Sequence, residues 1–109
     1  MPFDAQLAER VSAAVKRRKG YEAKKMFGGM GYLLNGNMCV GIYKEFLILR
    51  LGPEATDKAL QRPHTKVMDI TGKAMNGWIM IKPEGCATEA QVKEWIELAQ
   101  EFVKTLPAK

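Results

Sequence analysis

The sequence predicts an α+β fold, in which an antiparallel β-sheet is flanked by N- and C-terminal helices. Two observations carry this prediction. Apolar residues recur at helical spacing at both ends of the chain. Between them, Asn35-Gly36 and Lys44-Glu45 separate three apolar segments, and Asn-Gly between two apolar runs is typical of a tight hairpin turn. The predicted order is α-β(3-4)-α-β(1-2)-α, as a single domain over residues 1–109.

The first helix is predicted over Met1–Lys19, where apolar residues recur every three or four positions. Asp4 is placed to cap its first turn, and Gly20 lies just beyond its end, where a left-handed residue is favourable. A short extended segment at Met26-Phe27 then enters the pair Gly28-Gly29. This glycine pair is interpreted as a bend or bulge that lets the chain turn onto the sheet.

A meander of three strands follows. The strands are predicted at Tyr32–Leu34, Asn37–Tyr43 and Phe46–Leu51. Alternation in the second strand predicts that Met38, Val40 and Ile42 share one face. The third strand is apolar on both faces until Arg50, which is typical of a central strand covered on two sides. Helices can cover one face, and the other face requires a second protomer or the remaining chain.

The second half of the chain adds a short helix, two short extended segments and the last helix. Pro53 begins the short helix, where its missing N–H is not needed. The extended segments are predicted at Val67–Ile70 and Trp78–Ile81. Thr88 and Gln91 predict a capping box, in which each side chain satisfies a free backbone donor. The helix that they begin is expected to place Trp95 deep in the core.

The composition of the chain argues against a membrane-spanning or a secreted protein. The 47% apolar and 27% charged residues are ordinary for a globular domain, and the longest uncharged stretch is too broken by Gly and Asn for a membrane helix. Asp4 and Glu9 interrupt any secretory signal pattern at the N-terminus. Two cysteines without a signal indicate free thiols in a reducing compartment, so a cytoplasmic protein is expected.

The net charge of +5 is concentrated near the N-terminus, where residues 16–25 hold six basic residues and one acidic residue. Such a run is typical of a solvated helix end, where cations complement the helix dipole. It is also able to neutralise phosphates, so nucleic-acid binding stays open, with Tyr21 or Tyr32 available for base stacking. The candidate nucleic-acid contacts are Lys16, Arg17, Arg18, Lys19, Lys24 and Lys25.

No catalytic constellation stands out, and no catalytic, cofactor-binding or metal-binding residue is predicted. Gly28-Gly29 and Gly31 precede a hairpin, whereas a phosphate-binding loop opens a helix, so a structural role is favoured. His64 is the only histidine, and no nucleophile pattern accompanies it. Cys39 and Cys86 lack the spacing of a metal site. A hydrolase or transferase would have to use His64, Asp69 and Lys73, the one grouping that the sequence offers.

The segment Met26–Tyr32 (MFGGMGY), followed by Asn35–Met38 (NGNM), resembles the signature opening of TfoX/Sxy N-terminal domains. The resemblance covers roughly Lys16 to Leu106. The later segments that carry it are Leu47–Leu51, Gly72–Met75, Gly77-Trp78 and the last helix around Trp95. The motif residues, to which a structural role is assigned, are Met26, Phe27, Gly28, Gly29, Gly31, Asn35 and Gly36.

This resemblance implies an α+β domain like the type III secretion chaperones, a fold that commonly dimerises. The named members of the family are regulators of natural competence that work with the transcription apparatus, and the chain corresponds to their N-terminal domain standing alone. The function predicted is a non-enzymatic regulatory or protein-interaction domain, forming a homodimer, with a protein partner in the transcription machinery. Methionine is frequent and suits adaptable binding surfaces. The candidate partner contacts are Lys73, Met75 and Asn76, in the loop before the last strand.

Overall fold

The architecture is taken from a computed structural model, which describes residues 4–16, 18–26, 29–68 and 77–108. The elements in chain order are α1 (Ala5–Val15), β1 (Tyr21–Met26), β2 (Gly29–Leu34), β3 (Asn37–Tyr43), β4 (Phe46–Arg50), α2 (Pro53–Ala59), β5 (Thr65–Val67), β6 (Trp78–Ile81), a 3-10 turn (Pro83–Gly85) and α3 (Glu89–Val103). The predicted α+β class, with helices at both ends of an antiparallel sheet, is confirmed.

The sheet has six strands in the order β1-β2-β3-β4-β6-β5, and every neighbouring pair is antiparallel. Asn35 and Gly36 join β2 to β3 with φ angles of 53° and 86°, the two left-handed residues that a tight hairpin requires. Lys44 lies in the turn between β3 and β4 and has a φ of 55°. Because β6 inserts between β4 and β5, the apolar β4 is a central strand.

Helices α1 and α3 cover one face of the sheet. Their apolar residues and the alternate residues of the central strands form the main core, which includes Leu7, Val11, Val40, Leu47, Leu49, Ile79, Ile81, Val92, Trp95, Ile96 and Val103. Asp4 caps α1 by accepting backbone hydrogen bonds from Gln6 and Leu7. The predicted capping box of Thr88 and Gln91 begins α3. Trp95 is 4% exposed, and its indole N–H donates to the carbonyl of Gly85 at 3.0 Å.

The opposite face of the sheet holds a second, smaller cluster. Side chains alternate along a strand, so Ile48 points away from its neighbours Leu47 and Leu49. Ile48, Met68 and Met80 are buried there, and the partly buried rings of Tyr43, Phe46 and Trp78 pack against them. This arrangement agrees with the expectation that β4 is covered on both faces, because Met68 belongs to the remaining chain.

Several predicted boundaries need correction, including the end of β4, which is Arg50 rather than Leu51. Helix α1 ends at Val15 rather than Lys19, since residues 18–20 already belong to the turn before β1, with Gly20 at a φ of 90°. The extended structure predicted at Met26-Phe27 begins earlier, at Tyr21, because the segment from Tyr21 to Met26 pairs along its whole length with β2. Strand β2 begins at Gly29 rather than at the predicted Tyr32. Strand β5 covers Thr65–Val67, earlier than the predicted Val67–Ile70, whose last two residues lie outside the described part.

The predicted alternation of β3 is also wrong at one residue. Tyr32 pairs with Val40, but Leu33 pairs with Met38, so Cys39 is an extra residue at a β-bulge. The bulge moves Met38 to the face opposite Val40 and Ile42. A side chain at Gly41 on that face would meet the terminal methyl of Met38 at 2.8 Å. Cys39 itself is fully buried in the main core.

Candidate interaction surfaces

The basic run of residues 16–25 is distributed over three structural settings. Lys16 is the C-terminal cap of α1, and Lys19 is exposed in the turn that follows. Lys24 and Lys25 are exposed on β1, where they pair with Gly31 and Met30 and therefore point to opposite faces of the sheet. Arg17 lies outside the described residues. The described residues of the run thus lie at a helix end, in a turn and on an edge strand, and their contact with nucleic acid stays a prediction.

Arg18 is engaged within the protein. Its guanidinium donates to Gln100 Oε1 at 3.1 Å and to Glu97 Oε1 at 3.2 Å, and its Nε donates to the carbonyl of Ala14 at 3.3 Å. The side chain is 19% exposed. Since two α3 side chains and the end of α1 share this cation, its main role in the structure is to join the two helices.

The two tyrosines considered for base stacking are not open rings. Tyr32 is 2% exposed beneath α1, where its hydroxyl lies 3.3 Å from the hydroxyl of Ser12, so its ring cannot stack on a base. Tyr21 is half-buried, and its hydroxyl donates to Gln100 Oε1 at 3.0 Å. Burial raises the pKa of Tyr21 above the ordinary phenol value. This burial could not be predicted from the sequence, because it depends on helices that are distant in the chain.

The described glycines of the MFGGMGY segment shape the sheet. Gly29 begins β2, and a Cβ atom there would collide with the carbonyl oxygen of Ile42 on β3. Gly31 pairs with Gly41 across the same two strands. The absence of a side chain at Gly29 lets the backbones of β2 and β3 approach closely, as the structural interpretation expects. Phe27 and Gly28 lie outside the described residues, and so does the side chain of Met26.

An open groove of about 590 Å³ lies between α2 and α3. Its lining residues are Leu51, Ala55, Lys58, Ala59, Gln61, Arg62, Leu98, Glu101 and Phe102. Leu98 is 38% exposed, although it is a large apolar residue on a helix. Phe102 packs directly on Gly52, where a side chain would lie 2.5 Å from two ring atoms. The groove therefore has an apolar floor, with basic residues on the α2 rim and Glu101 on the α3 rim.

Arg62, which follows α2 in the chain, lines this groove. Its guanidinium lies 4.1 Å from the centre of the Trp95 ring, and one of its nitrogens lies 2.8 Å from Glu94 Oε1. The cation–π contact is favourable because the guanidinium faces the electron-rich ring. Arg62 thus joins the segment after α2 to two residues of α3, beside the groove.

Cations also lie over the aromatic rings of the second sheet face. The pairs are Lys44 over Tyr43 at 5.4 Å, Lys66 over Phe46 at 5.2 Å and Arg50 over Trp78 at 5.5 Å. Each aliphatic stem shields part of a ring while its charge remains near water. In this role the cations protect a partly buried apolar surface.

The thiols and the histidine occupy structural positions. Cys39 and Cys86 are 0% and 1% exposed, and burial raises the pKa of each thiol to about 11. His64 has a φ of 65° and packs against Gly85, while its carbonyl accepts a hydrogen bond from the Lys82 N–H at 2.7 Å. Within the described residues, no three His, Cys, Asp or Glu side chains are grouped to hold a metal ion. Asp69 and Lys73 lie outside that part of the chain.

The predicted partner contacts Lys73, Met75 and Asn76 lie in residues 69–76, outside the described part, and they stay predictions.

Among the described helices, none combines the length and the apolar character that crossing a lipid bilayer requires.

The fold and these surfaces define a small α+β domain with two helices on one face of an antiparallel sheet and an apolar groove beside them. The family model of the TfoX N-terminal domain matches residues 13–103, and the chain belongs to this family. No curated protein and no solved structure matches the chain. The resemblance stated from the sequence is confirmed, whereas the likeness to type III secretion chaperones stays a prediction.

Proposed function

We propose that this chain is a non-enzymatic regulatory domain that acts in the cytoplasm by binding a partner protein, and that it does so as a homodimer. Membership of the TfoX N-terminal domain family supports a regulatory role related to competence. The two buried, unpaired cysteines suit a reducing compartment. A component of the transcription machinery is the partner class that this family role favours.

The α2–α3 groove is the observation that carries the protein-binding proposal. Leu98 and Phe102 present apolar surface one helical turn apart, beside the small residue Ala55 of α2. Grooves between helices bind the apolar face of an amphipathic helix. The charges on the two rims would orient a bound helix, because Lys58 and Arg62 lie on the α2 side and Glu101 lies on the α3 side. The occupant that fits is a partner helix with an acidic side chain facing α2.

The test compares two substitutions of equally exposed apolar residues. Leu98 and Val67 are 38% and 40% exposed, and Leu98 lines the groove, whereas Val67 lies on the edge strand β5. Tagged wild-type, Leu98→Glu and Val67→Glu proteins are incubated with native lysate, with and without nuclease, and bound proteins are identified by mass spectrometry. Melting curves confirm that all three are folded.

We expect that the wild type and the Val67→Glu protein capture the same lysate protein with and without nuclease treatment. The Leu98→Glu protein should not capture it. Cross-linking from position 98 to a helical segment of that protein completes the identification. Equal capture by all three proteins, or no capture by any, would contradict the groove as the binding site. Capture that disappears on nuclease treatment would favour the alternative, a nucleic-acid-binding accessory that uses the exposed Lys16, Lys19, Lys24 and Lys25.

A further inference from the structure

We propose that β1 is the self-association surface, on which two copies of the chain join edge to edge through Tyr21–Lys25 about a twofold axis at Ala23. In the described part of the chain, β1 is the outermost strand and has a hydrogen-bonded neighbour, β2, on one side. Glu22, Ala23, Lys24 and Lys25 are all exposed. This inference rests on the homodimer in the proposed function and names the surface that forms it.

The outward backbone groups of β1 are identified by its pairing with β2. Asn35 N–H donates to the carbonyl of Gly20 at 2.9 Å, so Gly20 directs its backbone toward β2. Hydrogen-bonding direction alternates along an antiparallel strand, so Glu22 and Lys24 also face β2. The N–H and C=O groups of Tyr21, Ala23 and Lys25 therefore point outward, where a second strand can reach them.

Symmetry limits how a second copy can pair with this edge. A twofold axis perpendicular to the sheet makes the two β1 strands antiparallel and keeps each face on its own side. Residues directly opposite must then belong to the same face, and the axis must pass beside one residue of the strand. A register centred on Glu22 puts two carboxylates opposite each other, and one centred on Lys24 puts two ammonium groups together. A register centred on Tyr21 or Lys25 overlaps fewer residues of the strand.

The register centred on Ala23 is complementary at every position. Glu22 of each copy lies opposite Lys24 of the other, which gives two ion pairs related by the axis. These positions are non-hydrogen-bonded pairs, in which opposing side chains are closest. The small side chain of Ala23 meets its own copy on the axis. Tyr21 faces Lys25 of the other copy, which brings an ammonium group near an aromatic ring.

The direction of the backbone N–H and C=O groups of β1 fits the same register. Ala23 opposite Ala23, and Tyr21 opposite Lys25 on either side of it, are hydrogen-bonded positions, because these residues direct their backbone outward. Such a joint forms about six hydrogen bonds between the two strands. The contact is narrow, so we expect a weak dimer with a dissociation constant on the order of tens of micromolar. The charges on β1 thus select one partner strand, a second copy, over unrelated exposed edges.

Charge exchange tests this register directly. Sedimentation velocity is measured from about 5 to 500 µM, since the dimer fraction follows mass action. Glu22→Lys and Lys24→Glu each place two like-charged pairs across the axis, and each is expected to raise the dissociation constant roughly tenfold or more. The double exchange Glu22→Lys/Lys24→Glu restores opposite charges and should restore wild-type association. An equimolar mixture of the two single variants should form a heterodimer, because both of its cross-strand pairs are then attractive.

Ala23→Pro supplies a second, backbone-based test. The substitution removes an N–H that points outward, so β1 keeps its bonds to β2, and proline is tolerated on edge strands. We expect a folded monomer by melting curve and sedimentation. A wild-type protein that stays monomeric at the highest concentration would overturn both this inference and the proposed homodimer. A dimer whose dissociation constant is unchanged in all of the β1 variants would overturn the inference alone, and partner binding through Leu98 is measured independently of either result.

Discussion

The hydroxyl of Tyr21 donates a hydrogen bond to Gln100 Oε1 at 3.0 Å, and this bond joins the edge strand β1 to the last turns of α3. The same Gln100 oxygen accepts from Arg18 at 3.1 Å, and the Tyr21 hydroxyl lies 3.6 Å from Cys39 Sγ. One polar group on α3 therefore connects the turn after α1, the edge strand and, through the hydroxyl, the bulged β3. The position of β1, and with it the proposed dimer edge, depends on this small network.

Tyr21→Phe tests that network. The substitution removes the hydroxyl and leaves the ring, so Gln100 loses one donor and Cys39 loses its polar neighbour. We expect the free energy of unfolding in urea to fall by about 1 kcal/mol, the usual net value of one side-chain hydrogen bond. Tyr43→Phe on the other sheet face is the matched control and should change stability by less. Equal losses in the two variants would contradict a specific role for the Tyr21 hydroxyl.

The buried thiols predict a loss of stability at alkaline pH. The pKa of Cys39 and of Cys86 is raised from 9.0 to about 11 by burial. The folded state therefore holds these protons more tightly than the unfolded state. Their stabilising contribution is complete below about pH 9 and is lost as the pH rises toward 11. Each thiol is expected to contribute on the order of 2 kcal/mol to this loss.

Urea unfolding at several pH values under reducing conditions measures the effect. The Cys86→Ala variant is expected to have a shallower fall in stability between pH 9 and 11 than the wild type, whatever its stability at neutral pH. An unchanged pH dependence in that variant would show that the thiol does not carry the effect. Tyr21 adds a further loss in the same direction above about pH 10, because burial raises its pKa above the ordinary value of 10.0.

Local chemistry explains what could be predicted from the sequence. The turn at Asn35-Gly36, the start of α2 at Pro53 and the capping box at Thr88 each depend on residues within a few positions of one another. The α+β class followed from these signals and from hydrophobic periodicity. Family membership was recognisable because the glycine and hairpin residues of the motif lie close together in the chain.

The features that could not be predicted depend on distant contacts. The bulge at Cys39 exists because β2 and β3 pair in shifted registers on either side of it, which no local pattern encodes. Strand β1 has a basic, exposed sequence that is not typical of a strand, and it is extended because β2 pairs with it. The groove beside Leu98 was missed for the same reason, since it requires the placement of α2 against α3. The exposed position of Leu98 on the α3 surface was the one available signal.

Gly29 and Gly77 are predicted to be required for different reasons. A Cβ at Gly29 would collide with the carbonyl of Ile42, which belongs to the neighbouring strand and cannot move freely. At Gly77 the nearest atoms lie 3.5 Å away, so only the φ of 92° opposes a side chain. We expect Gly29→Ala to destabilise the protein by about 3 kcal/mol or more and Gly77→Ala by about 1 kcal/mol. Melting temperatures compare the two, and the reverse ranking would contradict the close approach of β2 and β3.

Arg62 offers a test of how the segment after α2 is held against α3. Arg62→Ala removes both the contact with the Trp95 ring at 4.1 Å and the ion pair with Glu94 at 2.8 Å. The ion pair is exposed, with side-chain exposures of 40% and 63%, so it should contribute little on its own. We therefore expect Arg62→Ala to lower the free energy of unfolding by about 1 kcal/mol and Glu94→Ala by less than about 0.5 kcal/mol. In a Trp78→Phe background, which leaves Trp95 as the one tryptophan of the sequence, the fluorescence should change with Arg62→Ala and remain nearly unchanged with Glu94→Ala, because only the first removes a group from the ring. Equal effects of the two substitutions on stability and fluorescence would assign the contact to the ion pair and remove the ring contact as the feature that joins this segment to α3.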